Sequence, residues 1–210
     1  AWLADSQMLW SDCYATLALA ATRTNKIHLG TGVAITGTRP APVNAAGIAT
    51  INSIAPGRTF FGVGAGNTAM RVMGLPPHRI KQFEQYLQTL VPLLKGEESE
   101  LRVGDKVLPI KHIMPDNGFV NFKDPIPLYI SGFGPKSLAL AGKYGDGAVL
   151  GVNTPETVSG MWHLIQEGAK EINRELKPKE NYYTTALTSM VVLEEGEAVD
   201  SDRVKSECGA

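Results

Sequence analysis

The feature that most restricts this chain is a regular exchange between short β-prone runs and longer helical ones. Ala1 to Asp5 is an apolar run ending in a polar tip, and it reads as a buried strand. Ser11-Asp12 then offers an N-cap to the Ala- and Leu-rich run Cys13 to Thr24, and Ile27 to Ala34 is β-prone. Pro40 and Pro42 open a second helical run that Ala55-Pro56-Gly57 stops after Ile54, and Thr59 to Val63 is the next strand. Helical patterning resumes near Asn67 and again over Arg79 to Lys95. There Phe83, Tyr86, Leu87, Leu90 and Leu94 recur at three- and four-residue intervals, the spacing of a core-facing stripe. Between Glu100 and Asp124 the pieces shorten around a Gly104-Asp105 turn, which predicts a hairpin-bearing insertion over about 97–125, placed to border a ligand. Strand Leu128 to Ser131, helix Pro135 to Tyr144, strand Ala148 to Gly151, helix Pro155 to Leu176, strand Tyr182 to Leu193 and a helix from near Ser201 follow.

Six strands alternating with helices predict an α/β chain with a parallel sheet and right-handed crossovers, either open and doubly wound or closed as a barrel. Periodicity does not choose between them. An eight-stranded barrel takes about 250 residues, against 210 here, so the barrel reading expects a unit to be missing at each end. No low-complexity linker divides the chain, and one domain over 1–210 is expected. With 43% hydrophobic and 20% charged residues there is material for one sizeable core. A net charge of -1 sets up no field to gather nucleic acid. No apolar run approaches the ~18 residues of a membrane span, and the amino end lacks the blocks of a secretory signal, so a cytoplasmic protein is expected. Cys13 and Cys208 cannot build a disulfide framework or a Cys-rich zinc site. His28, His78, His112 and His163 lack ligand spacing, so no metal site is expected.

In parallel α/β folds ligands gather where strands end and the following loops begin, and these tips are small or polar. They are Asp5-Ser6-Gln7, Gly30-Thr31-Gly32-Val33, Gly62 through Asn67, Ser131 through Pro135, and Gly151-Val152-Asn153. Ser131-Gly132-Phe133-Gly134-Pro135-Lys136-Ser137 is the best anion site, because glycines admit a ligand to the backbone and Pro135 can open a helix with free N–H groups. The same residues also read as a plain strand-to-helix turn. Gly62-Val63-Gly64-Ala65-Gly66 resembles part of a dinucleotide fingerprint, but the G-x-G-x-x-G spacing fails at Asn67, so no nicotinamide Rossmann site is expected. Asp5 can hold a cofactor ring or a substrate, or cap its own loop. Arg39 can meet an anionic substrate or pair with a carboxylate, and Lys136 reads as a solvated helix-face charge.

Taken in order, these tips resemble the luciferase-like superfamily, which includes bacterial luciferase, flavin-dependent monooxygenases and reductases that use coenzyme F420. The resemblance rests on Trp2-Leu3-Ala4-Asp5-Ser6-Gln7, Ile27 through Val33 leading to Thr38-Arg39-Pro40, Ser53 through Arg58 before Gly62 through Gly66, and Ser131 through Pro135 followed by Gly145-Asp146-Gly147. Each piece alone is weak, and the ordered set is specific. Asp5-Ser6-Gln7 and the short Gly64-Ala65-Gly66-Asn67 loop are most similar to the methylenetetrahydromethanopterin reductase-like branch, which favours F420 over FMN.

That resemblance implies a luciferase-like (β/α)8 TIM barrel without its first and last units. It implies a cofactor pocket lined by Asp5, Gly32, Val33, Ala65, Gly66 and Asn67, with the phosphate side met by Ser131, Gly132, Phe133, Gly134, Gly151 and Val152. It also implies a non-prolyl cis peptide between Gly32 and Val33. The chemistry implied is direct hydride transfer between C5 of the deazaflavin and a small organic substrate, with Asp5 as the catalytic polar contact nearest the reacting carbon. Sugar-phosphate dehydrogenases of the superfamily carry a His after this Asp; Ser6 stands there instead. Two other readings stay open: an FMN-dependent two-component monooxygenase, and a non-catalytic barrel binding a flavin or another phosphate ligand. Family precedent implies a homo-oligomer, with a dimer favoured.

Overall fold

The β-prone runs outside the insertion come together as one parallel sheet. The computed structural model describes residues 1–151, 155–187 and 191–208. In chain order its elements are β1 (Trp2–Leu3), α1 (Cys13–Arg23), β2 (Leu29–Ile35), α2 (Ala41–Ile54), β3 (Thr59–Gly64), α3 (Asn67–Val72) and α4 (Ile80–Leu93). They continue with β4 (Ser99–Val103), β5 (Lys106–Ile110), β6 (Leu128–Gly132), α5 (Pro135–Tyr144), β7 (Gly147–Leu150), α6 (Pro155–Glu171), a 3-10 turn at Lys179–Asn181, β8 (Tyr183–Ala186) and α7 (Asp202–Cys208).

Local chemistry sets the boundaries. The Asp12 carboxylate accepts from the Ala15 N–H at 2.9 Å and starts α1, and Pro42 sits in the first turn of α2, where its missing N–H has no helical partner to lose. The Gln82 side chain accepts from the Arg79 N–H at 2.9 Å and closes the start of α4. That helix ends at a left-handed Gly96, with Glu97 N–H reaching back to Pro92. α6 stops at Glu171, short of the expected Leu176, because Asn173 turns left-handed (φ 56°) and the Arg174 N–H bonds back to Ala169. The last strand is shorter than Tyr182 to Leu193: only Tyr183–Ala186 pair with β7, which is itself four residues long. Tyr182 is buried instead, its hydroxyl donating to the Ala141 carbonyl at 2.9 Å.

The sheet order β1-β2-β3-β6-β7-β8 follows the chain without reversal, all strands parallel. A doubly wound sheet reverses order once and carries helices on both faces. Here α1 packs on α2, α2 on α4, α4 on α5 and α5 on α6, one continuous helical layer. Between that layer and the sheet lie Leu29, Phe61, Val63, Leu128, Ile130, Ala148 and Leu150 from the strands, with Leu17, Ile48, Phe83, Leu87, Leu90 and Ile165 from the helices, all buried. At about 25 cal/mol per Å² of apolar surface this layer is the main source of stability. The sheet is therefore a curled arc of a barrel, and β4–β5 stand apart as an antiparallel hairpin inserted between α4 and β6.

The other face of the sheet carries aromatics against glycines. Trp2 packs on Phe60 (ring centroids 4.4 Å apart) and Tyr129 on Tyr183 (4.6 Å), with Trp2 and Tyr129 5.7 Å apart. In register, Gly30 lies between Trp2 and Phe60, and Gly147 between Tyr129 and Tyr183. A Cβ on Gly147 would come within 2.8 Å of the Tyr129 ring, so the small residue is what lets the rings meet across the sheet.

Candidate active site

A cavity of about 430 Å³ opens at the carboxyl ends of these strands, within the range of small-molecule sites. Its wall takes Asp5 and Ser6 from the loop after β1, Gly32, Val33 and Ile35 from β2, Gly64 to Ala69 from the end of β3 and α3, and Ser131, Phe133, Gly134 and Ser137 from β6 and the start of α5. Tips far apart in sequence converge because every strand is parallel and points its carboxyl end the same way.

β2 reaches this wall through an irregularity. Thr31 pairs with Phe61 and Ala34 with Val63, so two β2 residues, Gly32 and Val33, face a single step on β3. Both therefore turn to the cavity, and the peptide between them is cis. A Cβ on Gly32 would lie 2.8 Å from Trp2 Cβ, so the aromatic floor supports this stretch from below. At the next tip Gly66 is left-handed (φ 74°), and a Cβ there would collide with the Ile35 side chain. Only glycine satisfies both conditions.

Asp5 is 2% exposed and fully engaged. Arg39 Nη1 donates to its Oδ1 at 2.6 Å and its Oδ2 at 2.7 Å, Gln7 Nε2 donates to Oδ1 at 2.7 Å, and the Ile35 N–H donates to Oδ2 at 3.2 Å. Each carboxylate oxygen thus holds two donors. Arg39 Nη2 also donates to Asp12 at 3.0 Å, and its guanidinium lies 5.0 Å from the Tyr14 ring centroid. Burial works against the Arg39 charge, but the hydrogen bond and charge of Asp5 outweigh it and hold its pKa above the ordinary arginine value. The carboxylate therefore sits as the fixed polar corner of the cavity, tying the loop after β1 to the loop after β2. Behind it, burial first and the Asp5 charge second push the Cys13 thiol up to about 12. Burial likewise raises Tyr14, whose hydroxyl donates to Asn44 at 2.8 Å.

The α5 end forms a second, differently built wall. The Ser137 hydroxyl accepts from the Gly134 N–H at 3.2 Å and donates to the Gly134 carbonyl at 2.9 Å, closing the helix start. The first-turn N–H groups of Lys136 and Ser137 have no carbonyl within the helix to bond, as at any helix start. A Cβ on Gly134 would meet nothing within 4 Å, so the backbone is open here to a ligand.

Of the residues expected to line the cofactor pocket, Asp5, Gly32, Val33, Ala65, Gly66, Asn67, Ser131, Phe133 and Gly134 border this one cavity. Gly132 and Gly151 stand behind it. A Cβ on Gly132 would press within 3.0 Å of the Leu138 backbone nitrogen, and one on Gly151 would collide with the Phe133 ring, which is 55% exposed. Val152 lies outside the described residues. Sequence reasoning included Ser137 in the anion-site run but passed over Ile35, Ile80 and His78 as cavity residues, and assigned Phe83 to the core alone, although it is buried and also borders the cavity. For His78 there was a usable signal: it belongs to the long connection between β3 and α4, whose first residues are the glycine tip.

The luciferase-like monooxygenase family model matches residues 1–205. The chain belongs to this family. Among its luciferase-like relatives, a 5,10-methylenetetrahydromethanopterin reductase from Methanolobus tindarius is 34% identical over 172 residues, 80% of this chain and 50% of the relative. An F420-dependent glucose-6-phosphate dehydrogenase from Beutenbergia cavernae is 28% identical over 177 residues, 76% of this chain and 48% of the relative. The solved coenzyme F420-dependent tetrahydromethanopterin reductase from Methanopyrus kandleri superposes with a TM-score of 0.70 at 26% identity, covering 90% of this chain and 57% of that one. The chain spans about half the length of the relatives it matches, and its curled sheet is the corresponding arc of the luciferase-like barrel.

Proposed function

We propose that this chain forms the cofactor-holding part of an oxidoreductase that transfers a hydride between coenzyme F420 and a small organic substrate. The observation that carries the reading is the pairing, in one cavity, of a glycine-shaped wall at Gly64 to Asn67 with an open helix start at Gly134 to Ser137. The first suits the flat edge of a ring, the second an anionic tail. Relatives of two substrate classes support it, since F420 dependence is named both for a tetrahydromethanopterin reductase and for a glucose-6-phosphate dehydrogenase.

In this reading Val33 and Ile35 back the ring, Ala65, Gly66 and Asn67 border its edge, and Ser131, Phe133, Gly134 and Ser137 hold the phosphate side. When bound, F420 supplies the carbon that gives or takes the hydride. Asp5 serves as a positioning group: held by Arg39, Gln7 and the Ile35 N–H, it keeps two strand tips at a fixed spacing, the kind of preorganisation that aligned transfer requires. The substrate class follows the reductase-like branch, a pterin-type molecule being the first to test. A homodimer accompanies the reading, with Leu19 on α1 and Val43 on α2 as exposed apolar side chains on neighbouring helices.

Equilibrium titration of the complete protein with F420 and with FMN tests the proposal. Micromolar or tighter F420 binding with much weaker FMN binding is the expected result. Tight FMN binding without F420 binding would replace it with the monooxygenase reading, for which oxygen consumption with reduced FMN is the next assay. Binding of either without any turnover would favour the non-catalytic barrel.

A further inference from the structure

We propose that His78 is the substrate-contacting polar residue of this cavity, presenting a neutral imidazole whose Nε2–H donates to an acceptor atom of the substrate. This rests on the hydride-transfer reading above and adds to it the group that meets the substrate. His78 stands in the loop between α3 and α4, and its half-buried side chain borders the cavity together with Asn67, Thr68 and Ile80. Its Nδ1 is enclosed and has no hydrogen-bond partner. A proton there would be a buried donor with nothing to receive it, a costlier defect than an unpaired lone pair. The proton of the neutral ring therefore belongs on Nε2, the ring nitrogen that is not among the enclosed, unpartnered atoms.

The surroundings keep the ring neutral. A second proton would have to go to the enclosed Nδ1, and burial lowers the pKa of the ring. Asp5 is the other titratable side chain bordering the same cavity among the described residues, and Arg39 already satisfies its charge. His78 also borders a second hollow together with Tyr86 and Arg102. Tyr86 is held neutral well above its ordinary value by burial, and Arg102 lies on exposed β4, so neither brings a negative charge that would favour a charged imidazole. A neutral donor selects a substrate bearing a carbonyl oxygen, an imine nitrogen or a carboxylate at this point, and offers nothing to a cationic group.

The tautomer tests the idea without any substrate. Nitrogen-15 histidine spectra of the complete protein at pH 7, assigned with a His78→Phe variant, should show His78 neutral with its proton on Nε2. A proton on Nδ1, or a charged ring, would overturn the proposal. With F420 bound and 5,10-methylenetetrahydromethanopterin as the probe substrate, His78→Phe should raise KM about tenfold, the loss of one hydrogen bond to a ligand. His78→Gln, which returns an N–H near the Nε2 position, should recover most of that loss, and F420 affinity should change less than about threefold in either variant. An unchanged KM in His78→Phe would also overturn the proposal. Failure of the unsubstituted protein to bind F420 would count against the function reading alone, because the tautomer is read in its absence.

Discussion

Asp5 and Arg39 stand 34 positions apart, yet each oxygen of the carboxylate receives a guanidinium hydrogen bond. Removing one charge of an enclosed pair leaves the other unpaired, a loss of about 3 kcal/mol or more. Because Arg39 keeps 19% side-chain exposure, the lower end of that range applies. Asp5→Asn is therefore expected to lower the urea unfolding midpoint by that equivalent and to weaken F420 binding by the loosened spacing of two tips. Unchanged stability and unchanged affinity together would remove the positioning role. The thiols differ in the same local way. Cys13 is buried, donates to the Leu3 carbonyl at 3.4 Å and is pushed up to about 12, whereas Cys208 is exposed. Since the thiolate is the reactive form, a disulfide reagent added at pH 8 should titrate one thiol quickly, and the second only after unfolding. Asp5 as a polar tip was legible in the sequence; its partner was not, because charge pairing depends on which loops the sheet brings together.

At the scale of elements, the β3-to-α3 turn and the start of α5 shape the cavity. Gly66→Ala must carry a left-handed backbone, about 1 kcal/mol or more unfavourable with a Cβ, and must also displace Ile35. F420 affinity should fall at least about tenfold by fluorescence titration, with a smaller change in thermal midpoint. An alanine variant that binds normally would mean that the turn does not border the cofactor. Ser137→Ala removes the side chain that closes the α5 start, and should cost about 1 kcal/mol in urea unfolding. The helices and tips were legible because capping residues, proline placement and 3.6-residue periodicity are written in adjacent positions. The ends of α6 and β8 were less so: α6 stops at an asparagine turning left-handed, and β8 is limited by the length of the strand it pairs with.

At the scale of the whole molecule, the aromatic floor is expected to link stability to the cavity wall. Trp2 lies against Phe60, Tyr129 and Tyr183, and against the backbone at Gly32. Trp2→Ala should destabilise the protein by about 2–3 kcal/mol, less than for a fully buried ring because Trp2 is 37% exposed. It should weaken F420 binding as well, while Trp2→Phe should keep most of both. If only stability fell, the floor would not support the wall. The sequence by itself determined the exchange of strand and helix, the apolar face of α4, the hairpin and the small, polar character of each strand tip, since all of these are set by neighbours in the chain. Only the tertiary structure decided that the strands run in one order without reversal, that Arg39 closes on Asp5, that Gly151 makes room for Phe133 rather than bordering the cavity, and that His78 reaches it. Those outcomes depend on which distant segments share a sheet edge or a buried space, and no local pattern encodes that.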